Sequence, residues 1–113
     1  MTVAEALDAF DAEVVEPLGI TPQTAYRRTL RLLRHELGAR ADAPLDDLIA
    51  DDLRGFVVWH REHGLTDDAA GTRKAAVHVA RLGAFLAERA GRPDLAVPRD
   101  ELRALAPDGA APA

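Results

Sequence analysis

Apolar residues in this chain recur at steps of three and four, and nowhere do four or more positions alternate as a half-buried strand requires. Alanine fills the intervening positions, and glycines and prolines punctuate the ends of the periodic stretches. The fold class is therefore all-α: a small bundle of four helices, followed by a short fifth helix and a tail.

The first helix runs from about Val3 to Glu16, with Leu7, Phe10, Val14 and Leu18 as its apolar stripe and Pro17 and Gly19 as its stop. Thr21-Pro22 opens the second, because Thr is a good N-cap and Pro suits the first helical position. It runs to Leu37 and stops at Gly38. Tyr26, Leu30, Leu33 and Leu37 share one face of it. Arg27, Arg31 and Arg34 share another, flanked by Arg28 and His35, and these basic residues span roughly 120° of the helix surface. Residues 39–44 read as a loop. The third segment starts with a short turn near Leu45 and is helical from about Asp51 to His63, with Gly64 as its stop. Its acids (Asp46, Asp47, Asp51, Asp52) lie at the beginning and its bases (His60, Arg61, His63) at the end, which suits the helix dipole. Leu48, Leu53, Phe56, Val57 and Trp59 form its buried set. The fourth helix is capped by Thr66-Asp67-Asp68 or begins near Thr72, and runs to Ala90 before Gly91. Val77, Val79, Leu82, Phe85 and Leu86 are too widely spread for one stripe, which marks it as the most central helix, with Arg73, Lys74 and Arg81 on its polar side. Pro93-Asp94-Leu95 is a turn, a short helix spans about Arg99 to Leu105, and Ala106 to Ala113 reads as a disordered tail.

With 113 residues the chain has room for one domain. It contains no cysteine, serine or asparagine, so a disulfide framework, a thiolate zinc site, a serine nucleophile and an N-glycosylation site are all excluded. No apolar run approaches the roughly 18 residues of a membrane helix, and the N-terminus lacks the basic start and apolar core of a signal peptide; a soluble, cytoplasmic protein is expected. The net charge of −5 argues against a tight non-specific nucleic-acid binder. The total hides an alternation, however. Residues 1–20 carry five acids and no base, and residues 21–40 carry five arginines and one acid. Residues 41–70 carry eight acids and two bases, and residues 71–92 five bases and one acid, so the field is segmental.

Catalytic and metal chemistry find little footing. His60-Arg61-Glu62-His63 has the wrong spacing for a zinc-peptidase motif, and although His60 and His63 could share a helix face, no third ligand is evident. The paired carboxylates fall at helix starts, where capping and dipole effects account for them, and the glycines are dispersed at element ends rather than gathered into a phosphate loop. Neither a metal nor any other cofactor is expected. Trp59 and Tyr26 lie on apolar faces and read as core or half-buried residues rather than stacking platforms. The sharpest local signal is the basic face of the second helix, whose arginine forks match phosphate geometry and guanine edges.

The stretch from Gly19 to Arg31, Gly-Ile-Thr-Pro-Gln-Thr-Ala-Tyr-Arg-Arg-Thr-Leu-Arg, resembles the opening of the N-terminal SAM-like core-binding domain of tyrosine recombinases of the phage-integrase and XerC/XerD type. Pro44-Leu45-Asp46-Asp47-Leu48 through Leu53-Arg54-Gly55-Phe56 resembles the next stretch of that domain. Gly64-Leu65-Thr66, Thr72-Arg73-Lys74, Leu82 and Phe85-Leu86 resemble its last long helix. The resemblance covers roughly residues 4–92 and divides the chain into a core-binding-like domain, 1–92, and a linker, short helix and flexible tail, 93–113.

The resemblance implies an orthogonal four-helix bundle forming one half of a clamp around duplex DNA, with the second and fourth helices facing the DNA. By position the DNA-side residues would be Thr24, Arg27, Arg28, Arg31 and Arg34 on the second helix and Thr72, Arg73, Lys74 and Arg81 on the fourth, chiefly on phosphates. Two departures stand out. Val97 to Leu105 resembles only the first helix of the family's catalytic domain, with nothing here that matches its Arg, Lys, His, Arg and Tyr set; strand cleavage is not expected and Tyr26 is not a nucleophile. Arg92-Pro93 stands where the family usually has Asn-Pro. The expected function is a DNA-binding module of recombination or integration. The alternatives are a protein-interaction module that pairs with a recombinase subunit, and a fragment of a longer integrase.

Overall fold

The computed structural model describes residues 1–63 and 69–106. Its regular elements are helices: α1 (Val3–Phe10), α2 (Ile20–Leu37), α3 (Ala50–His63), α4 (Ala69–Arg89) and α5 (Arg99–Ala104), with π- and 3-10-helical turns between some of them. Among the described residues there is no β-strand, and extended pairing is confined to an isolated bridge between Thr2 and Pro44. The chain is all-α, as its apolar periodicity requires. No helix among the described residues is long and apolar enough to cross a membrane. The Gly64 stop, the Thr66-Asp67-Asp68 cap and the tail from Pro107 lie outside the described residues. The chain divides into two units, Met1–Ile49 and Ala50–Ala113.

In the first unit α1 begins with a capping box. The Thr2 N–H donates to Glu5 Oε1 at 2.8 Å and the Glu5 N–H to Thr2 Oγ1 at 3.1 Å, which satisfies two donors that a helix start leaves without partners. Beyond Phe10 the helix widens into a π turn, Asp11–Val15, in which the Glu16 N–H donates to the Asp11 carbonyl at 2.8 Å. The extra residue advances the inward position by one. Val15 is therefore fully buried, whereas Val14 and Leu18, expected on the stripe with Leu7 and Phe10, are only half-buried. α2 starts earlier than Thr21-Pro22 suggests: Gly19 is the N-cap, and Pro22 falls in the first turn, where its missing N–H has no intrahelical partner to lose. Gln23 Nε2 donates to the carbonyls of Glu16 and Leu18 at 2.8 and 2.6 Å, tying the end of the π segment to the start of α2.

Tyr26, Leu30, Leu33 and Leu37 are buried as their spacing predicts, and the Tyr26 ring lies 6.0 Å from that of Phe10. At the end of α2, Gly38 takes a φ of 59°, a conformation that costs glycine nothing. The expected loop after it is instead a 3-10 turn, Gly38–Asp42, with Ala41 buried. The Val3 N–H donates to the Ala43 carbonyl at 3.0 Å and the Leu45 N–H to the Met1 carbonyl at 2.9 Å, stitching this turn to the N-terminus.

In the second unit α4 packs against α3, α5 and the 3-10 turn Pro93–Leu95, which makes it central to this unit. Val79, Leu82 and Leu86 are buried with Ala75, Ala76 and Ala80, opposite Leu53, Phe56 and Val57 of α3; Val77 and Phe85 are half-buried. Leu95 and Leu102 are fully buried, so the segment after α4 contributes to the core. Arg54 links α3 to α5 through Glu101 at 2.7 Å and also bonds Asp51 at 2.8 Å, while Arg61 Nη1 donates at 2.9 Å to the Leu105 carbonyl at the end of α5.

Gly83 permits the close approach of the Pro93–Leu95 turn to α4. A Cβ there would overlap the Leu95 carbonyl oxygen and crowd Leu53 Cδ1 at 3.4 Å, and backbone cannot swing away. Gly83→Ala should destabilise the chain by about 1–3 kcal/mol. Gly55, on the exposed side of α3 with nothing within 4 Å of a built Cβ, should behave oppositely, Gly55→Ala adding about 0.5–1 kcal/mol. Urea unfolding of the two variants checks both signs.

Candidate functional site

The basic residues of α2 sort into two rows. Thr24, Arg28, Arg31 and His35 follow one another at steps of four, three and four, so they form one row about 16 Å long on the helix surface. All four are exposed. The Thr24 hydroxyl donates to the Ile20 carbonyl at 3.0 Å, which spends its proton on the helix itself.

Arg27 and Arg34 lie on the inner side of this row and turn toward the first helical segment. Arg27 Nε donates to Asp11 Oδ2 at 3.1 Å and Nη2 to Asp11 Oδ1 at 3.0 Å, a fork-on-fork pairing, and Nη2 also reaches Glu16 Oε2 at 2.6 Å. The Asp11 bonds, then those to Glu16, hold the Arg27 guanidinium above its already high pKa. Arg34 Nη2 donates to Asp8 Oδ1 at 3.0 Å and to the Ala4 carbonyl at 3.1 Å. Two of the five α2 residues expected on the DNA side are thus engaged by acids of their own unit. Between the first helical segment and α2 runs a groove of about 200 Å³ with Leu7 and Leu30 among its lining, edged by Asp8, Asp11, Arg27, Arg31 and Arg34. Arg31 opens into it and makes no ion pair with a described residue.

Asp8, Asp11 and Glu16 were not singled out by sequence reasoning as partners of the basic face. The signal was present in the adjacency of an acidic helix and a basic one across a short connection, since consecutive helices joined in this way pack side by side.

On α4 the four expected residues also part. Thr72 is 3% exposed, with its hydroxyl hydrogen-bonded to His60 Nδ1 at 2.9 Å, and so belongs to the interior rather than to a docking surface. Arg73 is half-buried; Lys74 and Arg81 are exposed. His60, placed by the sequence near the end of the third helix, is buried, because it faces α4 and meets Thr72. His63 is exposed and its Nδ1–H donates to the Trp59 carbonyl at 2.9 Å, so the two histidines point to different surroundings. Trp59 is half-buried, stacked between Phe56 and His63 with centroids at 5.9 and 5.1 Å. Among the described residues no group of three His, Asp or Glu side chains could hold a metal ion.

His78 is the strongly perturbed histidine of α4. Burial, and secondarily the charge of Lys74, push its pKa down from 6.5 to about 4. The unfolded chain then binds the proton first, so this contribution to stability is complete above pH 6.5 and is lost as the pH falls toward about 4. His78→Gln should flatten that part of the stability profile, read from urea midpoints across the pH range.

Compared with known protein families, curated proteins and solved structures, the chain finds no match.

Proposed function

We propose that the chain is a helical module that docks on the phosphates of duplex DNA, in the manner the likeness to a recombinase core-binding domain implies, without cleaving a strand itself. The observation that carries this reading is the row Thr24, Arg28, Arg31 and His35 on α2, all four exposed. A guanidinium presents a planar fork of donors to a phosphate, and contacts of this kind fix position rather than read sequence. In the second unit, Lys74 and Arg81 of α4 are exposed and Arg73 is half-buried. Arg27 and Arg34, engaged by carboxylates, are assigned to holding α2 against the first helical segment, and Thr72 to the core.

A second reading, a protein-interaction module that pairs with a recombinase subunit, is favoured by the internal neutralisation of Arg27 and Arg34 together with the net charge of −5. A salt titration separates the two. With about five phosphate contacts, the logarithm of the affinity for a random duplex should fall against the logarithm of salt with a slope of about −4 to −5. Arg28→Ala with Arg31→Ala should reduce that slope by about 2 and do so equally on unrelated sequences. Absence of binding at low salt, with co-purification of a recombinase, would establish the second reading instead.

A further inference from the structure

The π turn explains how two carboxylates reach one arginine. In an α-helix, residues five apart point about 140° away from each other, so Asp11 and Glu16 would face different directions. The π turn Asp11–Val15 spreads five residues over one wider turn, and both carboxylates converge on Arg27. Their oxygens take the positions that a phosphate would take on the same fork: two on Nε and Nη2 from Asp11, a third on Nη2 from Glu16. One α-helical step earlier, Asp8 occupies Arg34. None of this is sealed. The Arg27 and Arg34 side chains keep 41% and 46% of their exposure, and Glu16 and Asp8 keep 65% and 74%. Exposed ion pairs of this kind are individually weak. Arg31, on the same groove, already lacks a carboxylate among the described residues.

We infer that Asp8, Asp11 and Glu16 form a built-in phosphate mimic that occupies Arg27 and Arg34 and holds down the affinity of the α2 surface for DNA. This rests on the DNA-docking reading and adds its regulation: when the carboxylates are neutralised or drawn off, two further guanidinium groups join the row led by Arg28 and Arg31. The acidic first segment is then a latch on the basic second one.

The test compares two variants of the full chain with equal charge change. One is Asp8→Asn, Asp11→Asn and Glu16→Gln. The other is Asp42→Asn, Asp46→Asn and Asp47→Asn, three exposed acids of the same unit that make no ion pair with a described residue. The latch variant should bind a random duplex about tenfold more tightly than the control variant at moderate salt, with a salt slope steeper by about 2, one unit per released arginine. Adding Arg27→Gln and Arg34→Gln to the latch variant should return it to the control level. Equal gains in both variants, or a gain that survives loss of the two arginines, would overturn the latch. Should the triple variant lose its helical circular dichroism, Asp8→Asn and Asp11→Asn singly should each raise affinity in part, and no rise in either would count against it. Failure of docking is distinguishable: there neither the native chain nor any variant binds duplex at low salt.

Discussion

The π turn Asp11–Val15 fixes much about the first unit, and on it Arg27 forks onto Asp11 and also meets Glu16. This wider turn points both acids at a single guanidinium. The π turn in turn moves the buried position from Val14 to Val15 and so sets which side of the segment closes on α2. Gln23 then caps the two carbonyls left at its end. Electrostatics, helix geometry and core packing agree at this point, which is the mark of a sequence that specifies a single local structure. The same pairing engages Arg27 and Arg34 on the inner side of α2, whereas Arg28 and Arg31 are exposed on its outer side.

The second unit is organised by packing rather than by charge. α4 is rich in alanine and carries Gly83 at the place where the Pro93–Leu95 turn crosses it. Small side chains let backbones approach, and the close approach lets Leu95 and Leu102 fill the interior alongside Leu82 and Leu86. Polar groups follow the same economy: Thr72 and His60 bond to one another inside, and Arg61 satisfies the last carbonyl of the α5 turn. Among the described residues no buried side-chain nitrogen or oxygen lacks a hydrogen-bond partner.

The helices were legible because the period of three and four is a direct consequence of helical geometry, and it held for Tyr26, Leu30, Leu33 and Leu37 without exception. What the period could not carry was any local change of pitch, so the π turn and the shift to Val15 escaped it. Helix starts were also misplaced where the cap was not a side chain, as at Gly19, since Thr21 offered a stronger signal and was not used. The basic face was readable as a count of charges but not as a set of partners. A helix wheel describes one helix at a time, whereas Arg27 and Arg34 are governed by acids on the preceding segment. Thr72 failed for a related reason: a threonine suits a docking surface and an interior hydrogen bond equally well, and the histidine that decides between them lies on another helix.

Arginine side-chain Nε–H resonances, followed by NMR while a short random duplex is added at low salt, give the most direct view of which guanidinium groups meet phosphate. Arg28 and Arg31 should shift at the first additions while Arg27 and Arg34 keep their positions. Shifts of Arg27 and Arg34 in step with Arg31 would show that their carboxylate partners do not hold them, and an unchanged spectrum throughout would contradict DNA docking by this surface.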